Sequence, residues 1–140
     1  EFGRHPYHYV ALGFFFGKGE KQEVDATELG GLCIAYSASD KVTLEMDYDL
    51  AHAAQVDYAY PVYELPASSE VRVERVPWSS FTAPSWFKGD ADDYGVNSAK
   101  TFSGLKVKFI KDESSSMTFN IKAIGPYNGN CEDYVKFENK

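Results

Sequence analysis

The stretch RVPWSSFTAPSWF, residues 75–87, sets two tryptophans and two phenylalanines around a hinge of Pro and Ser. Rings in that setting make no bonds. They either fill a core or offer a flat apolar plate to a flat partner. A sugar ring is such a partner, flat on its C–H face and ringed by hydroxyls, so plates that bind one need Asp, Asn, Gln, Arg or phenol groups at the rim. Three segments hold that mixture. DYAYPVY (57–63) offers Tyr58, Tyr60 and Tyr63 beside Asp57; APSWF (83–87) offers Trp86 and Phe87; YHY (7–9) offers Tyr7 and Tyr9. Strand alternation would put Tyr58 and Tyr60 on one face with Val62, and Tyr63 on the other with Leu65, although Pro61 can shift the phase. Trp78 and Phe81 follow a strand directly and read as core. Trp86, bracketed by Pro84 and Gly89, reads as the exposed plate. Tyr36 and Tyr48 continue the apolar faces of their strands and read as buried.

Bond-making chemistry is harder to find. The chain has no G-x-S-x-G elbow, no H-E-x-x-H and no phosphate-cradling glycine loop. A glycosidase needs two carboxylates facing one cleft, and no pair is marked by sequence. GDADDYG (89–95) gathers Asp90, Asp92 and Asp93 in a spacing that suits a structural calcium. The run lacks the EF-hand spacing and its terminal Glu, so a solvated loop is the simpler reading. His5, His8 and His52 complete no zinc pattern, and His52, among alanines, reads as a surface histidine. Cys33 and Cys131 are either two buried thiols or one long disulfide. A disulfide is the favoured expectation. It would stabilise the fold by about 4–5 kcal/mol through chain entropy and would favour an oxidising, secreted setting.

The elements that must position these residues are strands. YHYVALGFFF (7–16), GLCIAYSAS (31–39), KVTLEMDYD (41–49), YAYPVYEL (58–65), EVRVERV (70–76), LKVKFIK (105–111) and MTFNIKAI (117–124) are β-branched, aromatic or alternating. In the third, Val42, Leu44, Met46 and Tyr48 form one face, and Thr43, Glu45, Asp47 and Asp49 the other. Pro61 makes the fourth an edge strand or a bulge. DLAHAAQ (49–55) and NSAKTF (97–102) could each form a short helix, neither long enough to cover a sheet. Seven strands separated by Gly, Pro and Ser read as an all-β antiparallel sandwich.

With 140 residues the chain is one domain, 1–140, whose ends 1–6 and 132–140 are expected to fray. Aromatics at 16% exceed what such a core needs. A net charge of −7 argues against nucleic acid or an anionic membrane surface. Lys106, Lys108 and Lys111 form the one short basic cluster and read as a solvated strand face. No segment has the length of a membrane span, and no signal peptide is read. The opening EFGRHPY, without an initiator Met, reads as a mature form or a fragment.

VPWSSF (76–81), followed by LKVKFIKDESSSMTFNIKAIG (105–125), resembles the family 11 carbohydrate-binding modules and their relatives of galactose-binding-like jelly-roll fold. GG-x-C-I-x-Y (30–36) and a final GNC (129–131) are similar to modules attached to secreted plant-fibre-degrading enzymes of rumen bacteria. The likeness runs from about Tyr7 to Cys131. It implies a secreted, non-catalytic module without an obligatory cofactor, binding β-glucan or cellulose-type polysaccharide along the concave face of one sheet. Residue by residue, Trp86 and Phe87 stand where the family keeps an acid followed by a tyrosine. Asp57 falls on a family aspartate, Tyr60 on a histidine and Tyr9 on a tyrosine; Tyr58 lies among them. Pro84 replaces a family arginine and Phe109 a tyrosine. The family also places one or two strands ahead of residues 7–16, where this chain has six residues. The resemblance therefore implies a sandwich trimmed on that side, or one completed by another chain or an upstream segment. Two other readings remain open: a protein-interaction module on the same scaffold, and a small secreted hydrolase.

Overall fold

The computed structural model describes residues 9–15, 23–48, 50–110 and 118–131, with the side chains of 9–15, 50, 109 and 110 outside that description. The expected frayed ends, 1–6 and 132–140, lie beyond it, as do Tyr7, His5, His8 and Lys111. Seven strands follow the alternation in the sequence. They are β1 (Tyr9–Phe15), β2 (Gly31–Ala38), β3 (Val42–Asp47), β4 (Val62–Leu65), β5 (Ser68–Pro77), β6 (Gly104–Ile110) and β7 (Phe119–Pro126). Two short helices, α1 (Leu50–Gln55) and α2 (Tyr94–Ser98), and three single 3-10 turns lie between them.

All the pairings are antiparallel, and they build two sheets, β1-β6-β3-β4 and β5-β2-β7. The chain changes sheet through the short links 39–41 and 66–67, so each sheet's apolar face is turned onto the other. β3 contributes Val42, Leu44 and Met46 to the layer between, β6 contributes Leu105 and Val107, and β2 contributes Leu32, Ile34, Tyr36 and Ala38. Burying each large apolar side chain is worth roughly 1.5–3 kcal/mol. This layer therefore supplies most of the drive to fold, and the architecture is an antiparallel β-sandwich.

Both rings assigned to the core from PWSSF are there. Trp78 and Phe81 are almost fully buried, with Trp78 tilted against Phe102 at 5.3 Å and against Phe81 at 5.9 Å. The indole N–H donates to the Ala26 carbonyl at 3.0 Å, which satisfies its one polar atom. Gly95 of α2 packs so close that a Cβ there would lie 2.1 Å from the Trp78 carbonyl oxygen. Tyr36 and Tyr48 are buried as expected.

β4 is shorter than the strand expected over 58–65. It starts only after Pro61, at the edge of its sheet, where the missing N–H costs no ladder bond. The preceding Asp57 and Tyr58 have φ of 54° and 61°, which no strand can accommodate.

On the far face of β2, Cys33 bonds to Cys131, with a Cα–Cα distance of 6.1 Å, over a small cluster of Ala35, Val71, Val73 and Ala123. Arg75 adds a second tether by donating to the Tyr127 carbonyl and, at 2.9 Å, to the Gly129 carbonyl. The disulfide spans 98 positions of chain. Cys131→Ser should lower unfolding free energy by about 4–5 kcal/mol, the chain-entropy value for so long a loop. Denaturant titration should reproduce the loss in the native protein under reductant, and an unchanged midpoint would refute it.

Candidate functional site

The outward face of β3 departs from expectation. Glu45 and Asp47 alternate away from the core and should be wet, yet they are 8% and 1% exposed. Lys108 reaches Glu45 at 3.2 Å and Lys106 reaches Asp47 at 3.6 Å, so this is a cross-strand charge ladder rather than a solvated lysine face. The Asp47 carboxylate also accepts the Tyr48 N–H at 2.9 Å. The cover comes from the connection between β3 and β4. Tyr60 lies over Lys106, with its ring centroid 3.8 Å from Nζ, and stacks on Tyr48 at 5.8 Å. His52 of α1 stacks on Tyr48 at 4.1 Å and places Nδ1 2.8 Å from Glu23, so it is half-buried and partnered rather than a surface histidine. Alternation encodes which way a side chain points, not what later folds over it.

Burial is the main cause that pushes the Tyr60 phenol up to about 12, and the nearby charges of Asp47 and Glu45 add to it. Tyr36 is also pushed up to about 12, by burial first, while its hydroxyl donates to the Pro66 carbonyl at 2.7 Å.

After α1 the chain turns sharply. The Tyr58 N–H donates to the Ala53 carbonyl at 2.8 Å and that of Asp57 to Ala54 at 3.3 Å, closing the helix through two consecutive left-handed residues. Helices commonly end on one such residue, usually glycine. Asp tolerates that conformation, but Tyr does so rarely, at a cost of order 1–3 kcal/mol. The turn leaves Tyr58 56% exposed beside Asp57.

The loop carrying Trp86 is fixed against this turn from below. The Phe87 N–H donates to the Pro84 carbonyl at 3.0 Å, and the Phe87 ring tilts against Tyr94 at 5.0 Å. The Tyr94 hydroxyl in turn donates to the Ala59 carbonyl at 2.6 Å. Gly89 lets the backbone pass the Phe87 ring, because a Cβ there would come within 2.4 Å of it. Between loop and turn opens a cleft of about 560 Å³ lined by Gln55, Val56, Asp57, Trp86, Phe87, Lys88 and Gly89. Its lining mixes Val56 and the Trp86 and Phe87 rings, Trp86 itself 56% exposed, with one amide, one carboxylate and one ammonium.

Three of the residues singled out by sequence, Asp57, Trp86 and Phe87, therefore meet, and Tyr58 adjoins them. Tyr60 does not line the cleft. Tyr9 pairs with Ile110 at the end of β1, and its side chain lies outside the described residues, as does that of Phe109. Gln55, Val56 and Lys88 carried no signal in sequence, since ordinary residue types become a site only by convergence. In the acidic loop, the Asp92 N–H donates to the Asp90 carboxylate at 3.0 Å, and Asp93 precedes α2 with φ of 49°. Among the described residues no three His, Cys, Asp or Glu side chains converge as metal ligands. No helix among them is long and apolar enough to cross a membrane. Comparison of the chain with known protein families, characterised proteins and solved structures gives no match.

Two outcomes follow from this geometry. Tyr58→Gly should raise unfolding free energy by about 1 kcal/mol, since glycine takes positive φ without strain; a loss of stability in denaturant titration would refute it. Raised phenol values mean that the fold favours the neutral ring. The stability contributed by Tyr36 and Tyr60 is therefore fully present below about pH 10, the unfolded tyrosine value, and is lost as pH rises through about 12. Unfolding midpoints followed from pH 9 to 12 should fall over that upper window, in step with tyrosinate absorbance.

Proposed function

We propose that this chain is a secreted, non-catalytic carbohydrate-binding module on a jelly-roll sandwich, and that it takes a β-glucan or cellulose-type chain by stacking a sugar face on Trp86. The observation that carries the reading is the exposed indole in a concave cleft, with the Asp57 carboxylate at its rim. Trp86 supplies the plate. Asp57 and the Gln55 carbonyl accept hydrogen bonds from sugar hydroxyls, and the Gln55 amide and Lys88 donate to hydroxyl and ring oxygens. The strain at Tyr58 fits a ring held in place for contact rather than for packing.

Asp57 is the one carboxylate among the described residues lining the cleft, and this favours binding over paired-carboxylate hydrolysis. A concave shape with three polar side chains favours a hydroxylated ligand over the flat, dry patch of a protein-docking surface. The Cys33–Cys131 disulfide supports an oxidising compartment.

Affinity electrophoresis in gels containing β-glucan, xylan or mannan tests the reading. The protein should be retarded by β-glucan, and Trp86→Ala should weaken binding about tenfold to a hundredfold, the loss expected for one buried ring. Unchanged mobility in all three gels, or retardation that survives Trp86→Ala, would overturn it.

A further inference from the structure

Resting on the glycan-binding reading, we infer that the site is limited in length: it holds a short oligosaccharide segment and gains no affinity from chain beyond it. An extended chain is gripped by a row of plates, each adding its own increment. Among the described residues the lining comes from two short segments, 55–57 and 86–89. A cleft of about 560 Å³ has the size of a site for one small ligand, with room for about two or three sugar rings.

Outside the cleft, the other aromatic candidate of the same segment is already engaged. Tyr60, the ring best placed in sequence to continue a row, has Lys106 over its ring and Tyr48 stacked with it. Next to it, Glu45 and Asp47 are buried and paired with Lys108 and Lys106. Baring Tyr60 for a sugar would remove the cover from these charges, and a buried charge whose surroundings are disturbed is costly. Among the described residues the rings that stand exposed are Trp86 and Tyr58, both at the cleft. The arrangement suits a short segment of chain and gives a longer chain no advantage.

Calorimetric titration of the full chain with β-linked gluco-oligosaccharides of two to six units tests this, with Trp86→Ala titrated in parallel. The expected result is affinity that rises to the trisaccharide, stays level within about twofold up to the hexasaccharide, and is lost in Trp86→Ala. A rise of tenfold or more from three to six units would overturn the length limit and leave the glycan-binding reading standing. If no oligosaccharide binds, or binding is unaffected in Trp86→Ala, the reading and the length limit fall together. A Tyr60→Phe variant gives a second check. It keeps the ring and its cover, so its length profile should match that of the native chain, and a profile cut short by this change would place Tyr60 in contact with sugar and refute the limit.

Discussion

A carboxylate almost sealed from water has to be matched by positive charge, and Asp47 imposes that condition on this fold. Lys106 meets it from the neighbouring strand, and the Tyr60 ring lies over the ammonium. To bring Tyr60 there, the chain leaving β3 must run out through α1 and double back before β4. That detour is the origin of the site. The excursion that covers the charge ladder also creates the sharp turn at Asp57 and Tyr58, one wall of the cleft.

The opposite wall depends on the same excursion. Phe87 leans on Tyr94, whose hydroxyl is held by the Ala59 carbonyl, a backbone group inside the returning segment. A loop of Pro, Ser and Gly would otherwise sample many conformations. The Phe87–Tyr94 and Tyr94–Ala59 contacts fix it against the returning segment, and Trp86 is left 56% exposed. The plate is thus pre-organised, which reduces the ordering cost that a ligand would meet. The core proper, built on Trp78, Tyr36 and the alternating aliphatics of β2, β3 and β6, acts as the rigid base beneath both walls.

Much of the fold was legible. Alternation in KVTLEMDYD and LKVKFIK located two adjacent strands and their inward residues, and Pro61 correctly marked an edge. Trp78 and Trp86, eight positions apart in one stretch, were separated into buried and exposed by their neighbours, a strand end in one case and a Pro–Gly bracket in the other. The reading of Tyr58, Tyr60 and Val62 as one strand face failed because a helix-ending turn intervenes, and two non-glycine left-handed residues leave no mark in composition. Glu45, Asp47 and the two lysines were assigned to water for a related reason, since the ring over Lys106 comes from Tyr60, more than ten positions away, and His52 because its carboxylate partner Glu23 lies far back in the chain.

The sequence by itself determined most of the strands, their inward faces and the exposed tryptophan, since each follows from local periodicity or flanking breakers, while it left the two cysteines as thiols or a disulfide until the fold set Cys33 beside Cys131. Tertiary structure alone decided that Asp57, Trp86 and Phe87 would share a cleft while Tyr60 would be spent on covering a lysine. That decision depends on which distant segments meet, and meeting is governed by burial and charge matching across the whole chain, which no local pattern records.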